Sequence, residues 1–298
     1  VLLMLYLPDA AVTAQSIIAA NGVDDAMARQ DIAETRDEIQ RYHRLDIVTH
    51  HDGCYRIEGT ALNQRLCLLH WLRRALRLCP QFVSHQFTPA LKTALKQLGI
   101  ARPLYDDANL RALIGFCSRK LQRQFECRDV QFLQLYLQYC LIQHQLGNTP
   151  QFSHAQRSWT QSRGEYFTAQ EIVRHWKRRV PQGAHVDEQL FLALLFMMLR
   201  TPDPVLDKHQ QDQRLRRAIV RMVARFRSQT GMNFSDEQGL TDQLYIHLAQ
   251  ALDRSLFEIG IDNSLPEEIH RLYPRLLRTT KEALFELEAE FGLRFSGE

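Results

Sequence analysis

His247 and Arg254 stand seven residues apart, a spacing that puts both on one face of a helix about two turns from each other. A neutral imidazole, with an ordinary pKa of about 6.5, is a nucleophile near neutral pH. An arginine fork on the same face can steady the oxygens of a phosphoryl group. The chemistry this pair suits is phosphoryl acceptance, with the added charge shifting packing or dimerisation. Asp253 is close by, and the apolar stripe Leu244, Leu248 and Leu252 borders the pair. The same spacing also suits a helix histidine that hydrogen-bonds inside a bundle, so the residues alone leave both roles open.

Polyanion binding is the second chemistry the residues suggest. The stretches Trp71-Leu72-Arg73-Arg74-Ala75-Leu76-Arg77 and Arg119-Lys120-Leu121-Gln122-Arg123 interleave charge with apolar residues at helical spacing. They suit a nucleic-acid face, and equally a helix with one buried and one solvated side. The net charge of +3 hides a strong asymmetry. Residues 1–60 carry five Arg or Lys against ten Asp or Glu, whereas residues 61–128 carry twelve against three. The six cysteines form no C-x-x-C pair and read as core filler, and the histidines form no His-x-x-x-His pair, so no metal site is expected. No nucleophile elbow, P-loop or dinucleotide fingerprint is present, so neither an enzyme nor a cofactor is expected.

The elements that must hold these residues are mostly helices. Thirteen glycines and ten prolines in 298 residues are too few for an all-β chain. The β-signal sits at Ile47–His50 and Cys54–Ile57, which flank the turn dipeptide Asp52-Gly53. Before it, a helix over about 13–20 is capped by Thr13 and broken by Asn21-Gly22, and a longer helix runs from about Asp25 to Leu45. Helix, short turn, longer helix and hairpin is the order of a winged helix-turn-helix. From Leu62 onward amphipathic helices follow one another, the first with the stripe Leu62, Leu66, Leu69, Leu72 and Leu76 and with Arg65 off it or at its edge. No apolar run reaches the roughly 18–20 residues that span a bilayer, and the first run, Val1–Leu7, lacks the flanks of a signal peptide. The expected location is the cytoplasm, and the opening Val suggests a fragment.

Two segments share a pattern: Leu133, Leu137 and Leu141 align with Leu244, Leu248 and Leu252, which sets Tyr136 on His247 and Gln143 on Arg254. The stretch from Leu244 to Phe295 goes further. It reads Leu244-Tyr245-Ile246-His247-Leu248, then Arg254, Ile259-Gly260-Ile261-Asp262-Asn263, Ile269, Leu272-Tyr273-Pro274 and Phe291-Gly292. This resembles the helical PTS regulation domain (PRD), which occurs as a tandem pair in sugar-responsive bacterial regulators and antiterminators. The resemblance implies a mainly α chain: a winged helix-turn-helix over 1–60, a basic helical connector over 61–100, a first PRD over 101–200 and a second over 201–298.

It also implies roles. His247 matches the first of two histidines that accept phosphate from the sugar phosphotransferase system, with Arg254 and Asn263 in support; the second would fall past Glu298. In the first PRD the matching positions are Tyr136 and Leu195, neither of which accepts phosphate as an imidazole does. The donor would be HPr or an enzyme II, and the assembly a homodimer. In the amino-terminal part, Val23, Asp31 and Ile32 match the winged-helix framework, but Asp24, Asp25, Ala26 and Met27 replace its usual Ser, Arg and Thr. Between Val23 and Gln40 the chain carries Arg29 and Arg36 against six acids, a poor match to DNA phosphates. DNA would then meet Arg41, Arg44 and Arg56 near the wing, or Arg73, Arg74 and Arg77 beyond it. Two functions follow: a DNA-binding transcriptional regulator switched by phosphorylation, or a protein-interaction adaptor that no longer binds DNA.

Overall fold

The computed structural model describes residues 1–298 except 9, 10, 182, 184, 261–270 and 296–298. It is mainly α-helical with one two-stranded antiparallel hairpin. The chain divides into two compact units, Val1–Leu195 and Phe196–Glu298.

The first unit opens with α1 (Leu2–Leu5), α2 (Ala14–Asn21) and α3 (Asp25–His43). Thr13 and Ser16 cap α2 reciprocally, each side chain taking the other's backbone N–H. Gly22, in the left-handed conformation at φ 64°, ends α2, and the Asp24 carboxylate then accepts the Met27 N–H at 2.8 Å to start α3. Ile17, Ala28 and Ile32 close a small core with Met4 and Val12. Strands β1 (Asp46–Thr49) and β2 (Tyr55–Glu58) pair with Ile47 opposite Ile57. Gly53, at φ 77°, sits in the connecting turn. The Tyr55 N–H also donates to the Val12 carbonyl at 2.7 Å, which ties the hairpin to the segment before α2.

The apolar run at the start of the chain is core: Leu2, Leu3 and Met4 are buried, and the Tyr6 hydroxyl donates to the Gln64 carbonyl at 2.7 Å. Gln64 belongs to α4 (Ala61–Leu78), capped by Thr60. There follow α5 (Pro80–Phe82), a π-turn (Val83–Phe87), α6 (Thr88–Gln97), α7 (Asp107–Leu121) and α8 (Cys127–Gln145). Helices α9 (His154–Gln161), α10 (Gly164–Arg179) and α11 (His185–Met198) come next. Helix α8 packs against α4, α6 and α7 and is buried on nearly every side. The expected segments 1–60 and 61–100 thus lie in one unit with most of 101–200. Among the cysteines, Cys54, Cys67, Cys117 and Cys140 are buried as expected of filler, but Cys79 and Cys127 are exposed. Burial pushes the thiols of Cys67, Cys117 and Cys140 up to about 12.

The second unit contains α12 (Gln210–Thr230), α13 (Glu237–Leu256) and α14 (Pro274–Phe291). Helix α12 packs against both others. Glu290 of α14 accepts from Arg214 at 3.1 Å and from Arg221 at 2.6 Å, which pins α14 to α12. No helix among the described residues is long and apolar enough to cross a membrane.

Candidate phosphoacceptor and nucleic-acid sites

Helix α13 buries Thr241, Tyr245, Ala249, Leu252 and Asp253. The buried line therefore runs one residue beyond the Leu244, Leu248, Leu252 stripe; of its polar members, Thr241 donates to the Glu237 carbonyl one turn back and Tyr245 has a partner outside the helix. The Tyr245 hydroxyl donates to Asp207 Oδ2 at 2.6 Å, and the buried Arg200 lies 3.3 Å from Asp212 and 3.6 Å from Asp207. Burial, then the Asp207 carboxylate, hold the Tyr245 phenol well above its ordinary pKa.

With Tyr245 turned inward, His247, two residues on, is turned outward. It is exposed and makes no hydrogen bond or ion pair among the described residues. Arg254 is half-buried on the same face, about 10 Å along the axis at 1.5 Å per residue. Its guanidinium has no carboxylate within ion-pair distance among the described residues, and its Nε finds no hydrogen-bond partner. Burial lowers its pKa, against a smaller opposing effect of Asp253. A guanidinium that makes no close ion pair among the described residues, on the same helix face as an accessible imidazole, is suited to hold an incoming anion. Asn263, the third residue of this group, lies outside the described residues.

The residues that align with this face in the first unit are enclosed. Tyr136 and Leu195 are both 0% exposed. The Tyr136 hydroxyl donates to the Arg65 carbonyl, and its ring stacks on Phe132. Around it lies a group that spacing did not reveal. Arg65 of α4 and Glu188 of α11 form a fully buried two-pronged ion pair at 2.8 and 2.7 Å, and Arg65 also donates to the Asn148 carbonyl at 2.8 Å. His144 Nδ1 lies 3.4 Å from the same carboxylate. Arg65 is thus a core residue and not one at the edge of the α4 stripe. The available signal was its position three residues after Leu62 in an otherwise apolar face.

The arginines considered for DNA fall into two groups. Arg29 pairs with Asp25 at 2.8 Å, Arg36 with Asp46 at 2.6 Å, and Arg56 with Asp52 at 2.9 Å. Arg41 is exposed and lies over its neighbour Tyr42. Arg44 is the left-handed residue that ends α3, at φ 52°. The outer face of α3 is open, with Asp24, Asp25, Glu34 and Asp37 all exposed. On α4, Arg73 lies 3.6 Å from Asp129, Arg74 covers the Trp71 ring, and Arg77 is exposed. Among the described residues no group of three His, Cys, Asp or Glu side chains is placed to hold a metal ion.

The PRD domain description matches residues 220–298, which include His247 and Arg254. Over all 298 residues the chain is 59% identical to the stationary phase-inducible protein CsiE of Escherichia coli (strain K12), and it spans 70% of that protein's length. The chain belongs to the CsiE family. Its mainly α fold with a small amino-terminal hairpin fits a PRD-containing protein of that family. The PRD match covers about half of α12 and all of α13 and α14, so the exposed His247 and the half-buried Arg254 both lie inside a recognised regulatory domain.

Proposed function

We propose that this CsiE-family chain is a cytoplasmic transcriptional regulator, not an enzyme, whose second PRD accepts a phosphoryl group on His247. One observation carries this reading: among the described residues His247 of α13 is exposed with no hydrogen bond or ion pair, while Arg254, on the same face, has no carboxylate within ion-pair distance. The donor is a phosphotransferase protein, HPr or an enzyme II. In the transfer, a neutral ring nitrogen of His247 forms a bond to phosphorus as the bond to the donor breaks, and Arg254 and Asn263 steady the oxygens. The added negative charge alters association of the chain with its second copy and, through it, DNA binding by the amino-terminal helix-turn-helix and hairpin.

Incubation of the full chain with the phosphotransferase proteins and labelled phosphoenolpyruvate tests this. Label is expected on the native chain, none on His247→Ala, and at least about tenfold slower labelling on Arg254→Ala, the loss of one charge-assisted contact. Label that survives His247→Ala overturns the assignment.

A second reading has its own support. Arg29, Arg36 and Arg56, three of the residues expected to meet DNA, are each bound to an aspartate. A chain that uses its open acidic α3 face for another protein would be an adaptor. Selection of sheared genomic DNA at about 100 mM salt separates the two, because phosphate contacts still contribute strongly there. Reproducible enrichment supports the regulator, and none, with the chain folded, supports the adaptor.

A further inference from the structure

The outer side of α4 differs from that of α3 in how its charges are used. In the second half of α4, Leu72 and Ala75 face inward. At 100° per residue, Arg73, Arg74 and Arg77 fall within an arc of about 100° on the outside, spread over about 6 Å of axis. Arg74 lies 4.9 Å over the Trp71 ring, and Arg73 lies 6.0 Å over Phe132 of α8. Trp71 in turn meets His70 edge-on at 5.4 Å, and His70 meets His43 of α3 at 5.8 Å. The cluster is therefore fastened to the end of the helix-turn-helix. Stacking of this kind holds a guanidinium in place before anything binds, so less freedom is lost on contact.

Arg74 and Arg77 have no carboxylate partner among the described residues, and Arg73 has a single one, Asp129, at 3.6 Å. By contrast, Arg29, Arg36 and Arg56 each hold an aspartate at 2.9 Å or less. A paired arginine must give up its aspartate before it gains a phosphate, whereas an unpaired one releases only water and small ions. The titration of His70 agrees: burial lowers its pKa, and the positive charges of Arg74 and Arg73 lower it further.

We propose that the outer face of α4, through Arg73, Arg74 and Arg77, is the surface by which the amino-terminal unit grips the phosphate backbone of duplex DNA, in place of the acidic outer face of α3. The proposal rests on the DNA-binding reading above and moves the phosphate contact from the helix-turn-helix to the adjoining α4. Charge complementarity identifies the occupant: three guanidiniums in a short row match the closely spaced phosphates of one strand. The acids of α3 then act against close approach of its own face and keep non-specific affinity low.

The test uses the full chain and a fluorescent random-sequence duplex of about 30 base pairs, titrated between about 50 and 200 mM salt. Each phosphate contact contributes about 0.9 to the slope of log affinity against log salt. Arg74→Ala/Arg77→Ala should flatten the slope by about 1.8 and weaken binding at 100 mM roughly 60-fold, the same slope change carried from 1 M salt. Arg74→Lys/Arg77→Lys should keep most of the slope, and Arg29→Ala/Arg36→Ala should leave it unchanged. Circular dichroism checks that each variant is folded. If the slope falls with Arg29 and Arg36 and not with the α4 pair, the inference fails and the DNA-binding reading stands. If the native chain binds no duplex, both fail. Tighter binding to single-stranded RNA of equal length overturns the assignment to duplex DNA.

Discussion

Helices α8 and α13 carry the same leucine spacing, yet one is a core helix and the other lies half in solvent. In α8 both sides are covered, Tyr136 is fully enclosed, and the Arg65–Glu188 pair beside it is sealed from water. In α13 one line of residues is buried and His247 stands on the opposite side. The difference teaches that position in a repeat sets backbone geometry, while surrounding elements decide whether a side chain there can do chemistry. The first unit spends the matching place on stability. The second leaves it open.

The largest effect expected from breaking this contrast is at the sealed pair. Glu188→Ala leaves the Arg65 guanidinium buried without its counter-charge and should cost about 3–5 kcal/mol, read from urea denaturation. The pH dependence follows from the same pair. Burial works to raise the Glu188 pKa, but the Arg65 charge and then His144 hold it below the ordinary carboxylate range. Its contribution to stability is therefore present above about pH 4.3, the unfolded value, and is lost as pH falls through the lower folded value. Denaturation midpoints measured from about pH 6 to 3 should fall for the native chain and change less for Glu188→Gln. An equal fall in both would remove this pair as the cause.

Next in size, Tyr136→His puts an imidazole where the aligned position of α13 has one. It should lose about 3 kcal/mol, from the lost ring packing and the hydroxyl bond to the Arg65 carbonyl, and acquire no phosphoryl label. Label appearing at 136 in a folded variant would show that residue type, not enclosure, separates the two helices. The smallest of the three is Tyr245→Phe, which removes the bond to Asp207 and should cost about 1–2 kcal/mol without reducing label on His247. Labelling that falls as far as in Arg254→Ala would mean that the inner side of α13 takes part in the reaction.

Much of the helical framework was legible because it rests on local chemistry. Thr13, Gly22 and Asp24 bound α2 and α3 through their own side chains or backbone conformation, and Asp52-Gly53 turns the hairpin between strands that were read almost residue for residue. The sites were legible only in part. That His247 and Arg254 share a face follows from helical geometry, but which face is outward depends on Tyr245 finding Asp207 in an earlier loop. The Arg65–Glu188 pair joins residues more than a hundred positions apart. No periodicity reports on such a pair, and composition assigns an arginine to the surface by default.

The sequence by itself determined the helical class, the hairpin, the matching leucine spacings of α8 and α13 and the imidazole–guanidinium spacing, because caps, turns and amphipathic periods act over a few residues. Only the tertiary structure decided which arginines hold aspartates and which on α4 have no carboxylate partner among the described residues, and that Tyr136 is enclosed while His247 meets solvent. Those outcomes depend on what packs across from each side chain, and burial and charge pairing are set by neighbours distant in the chain.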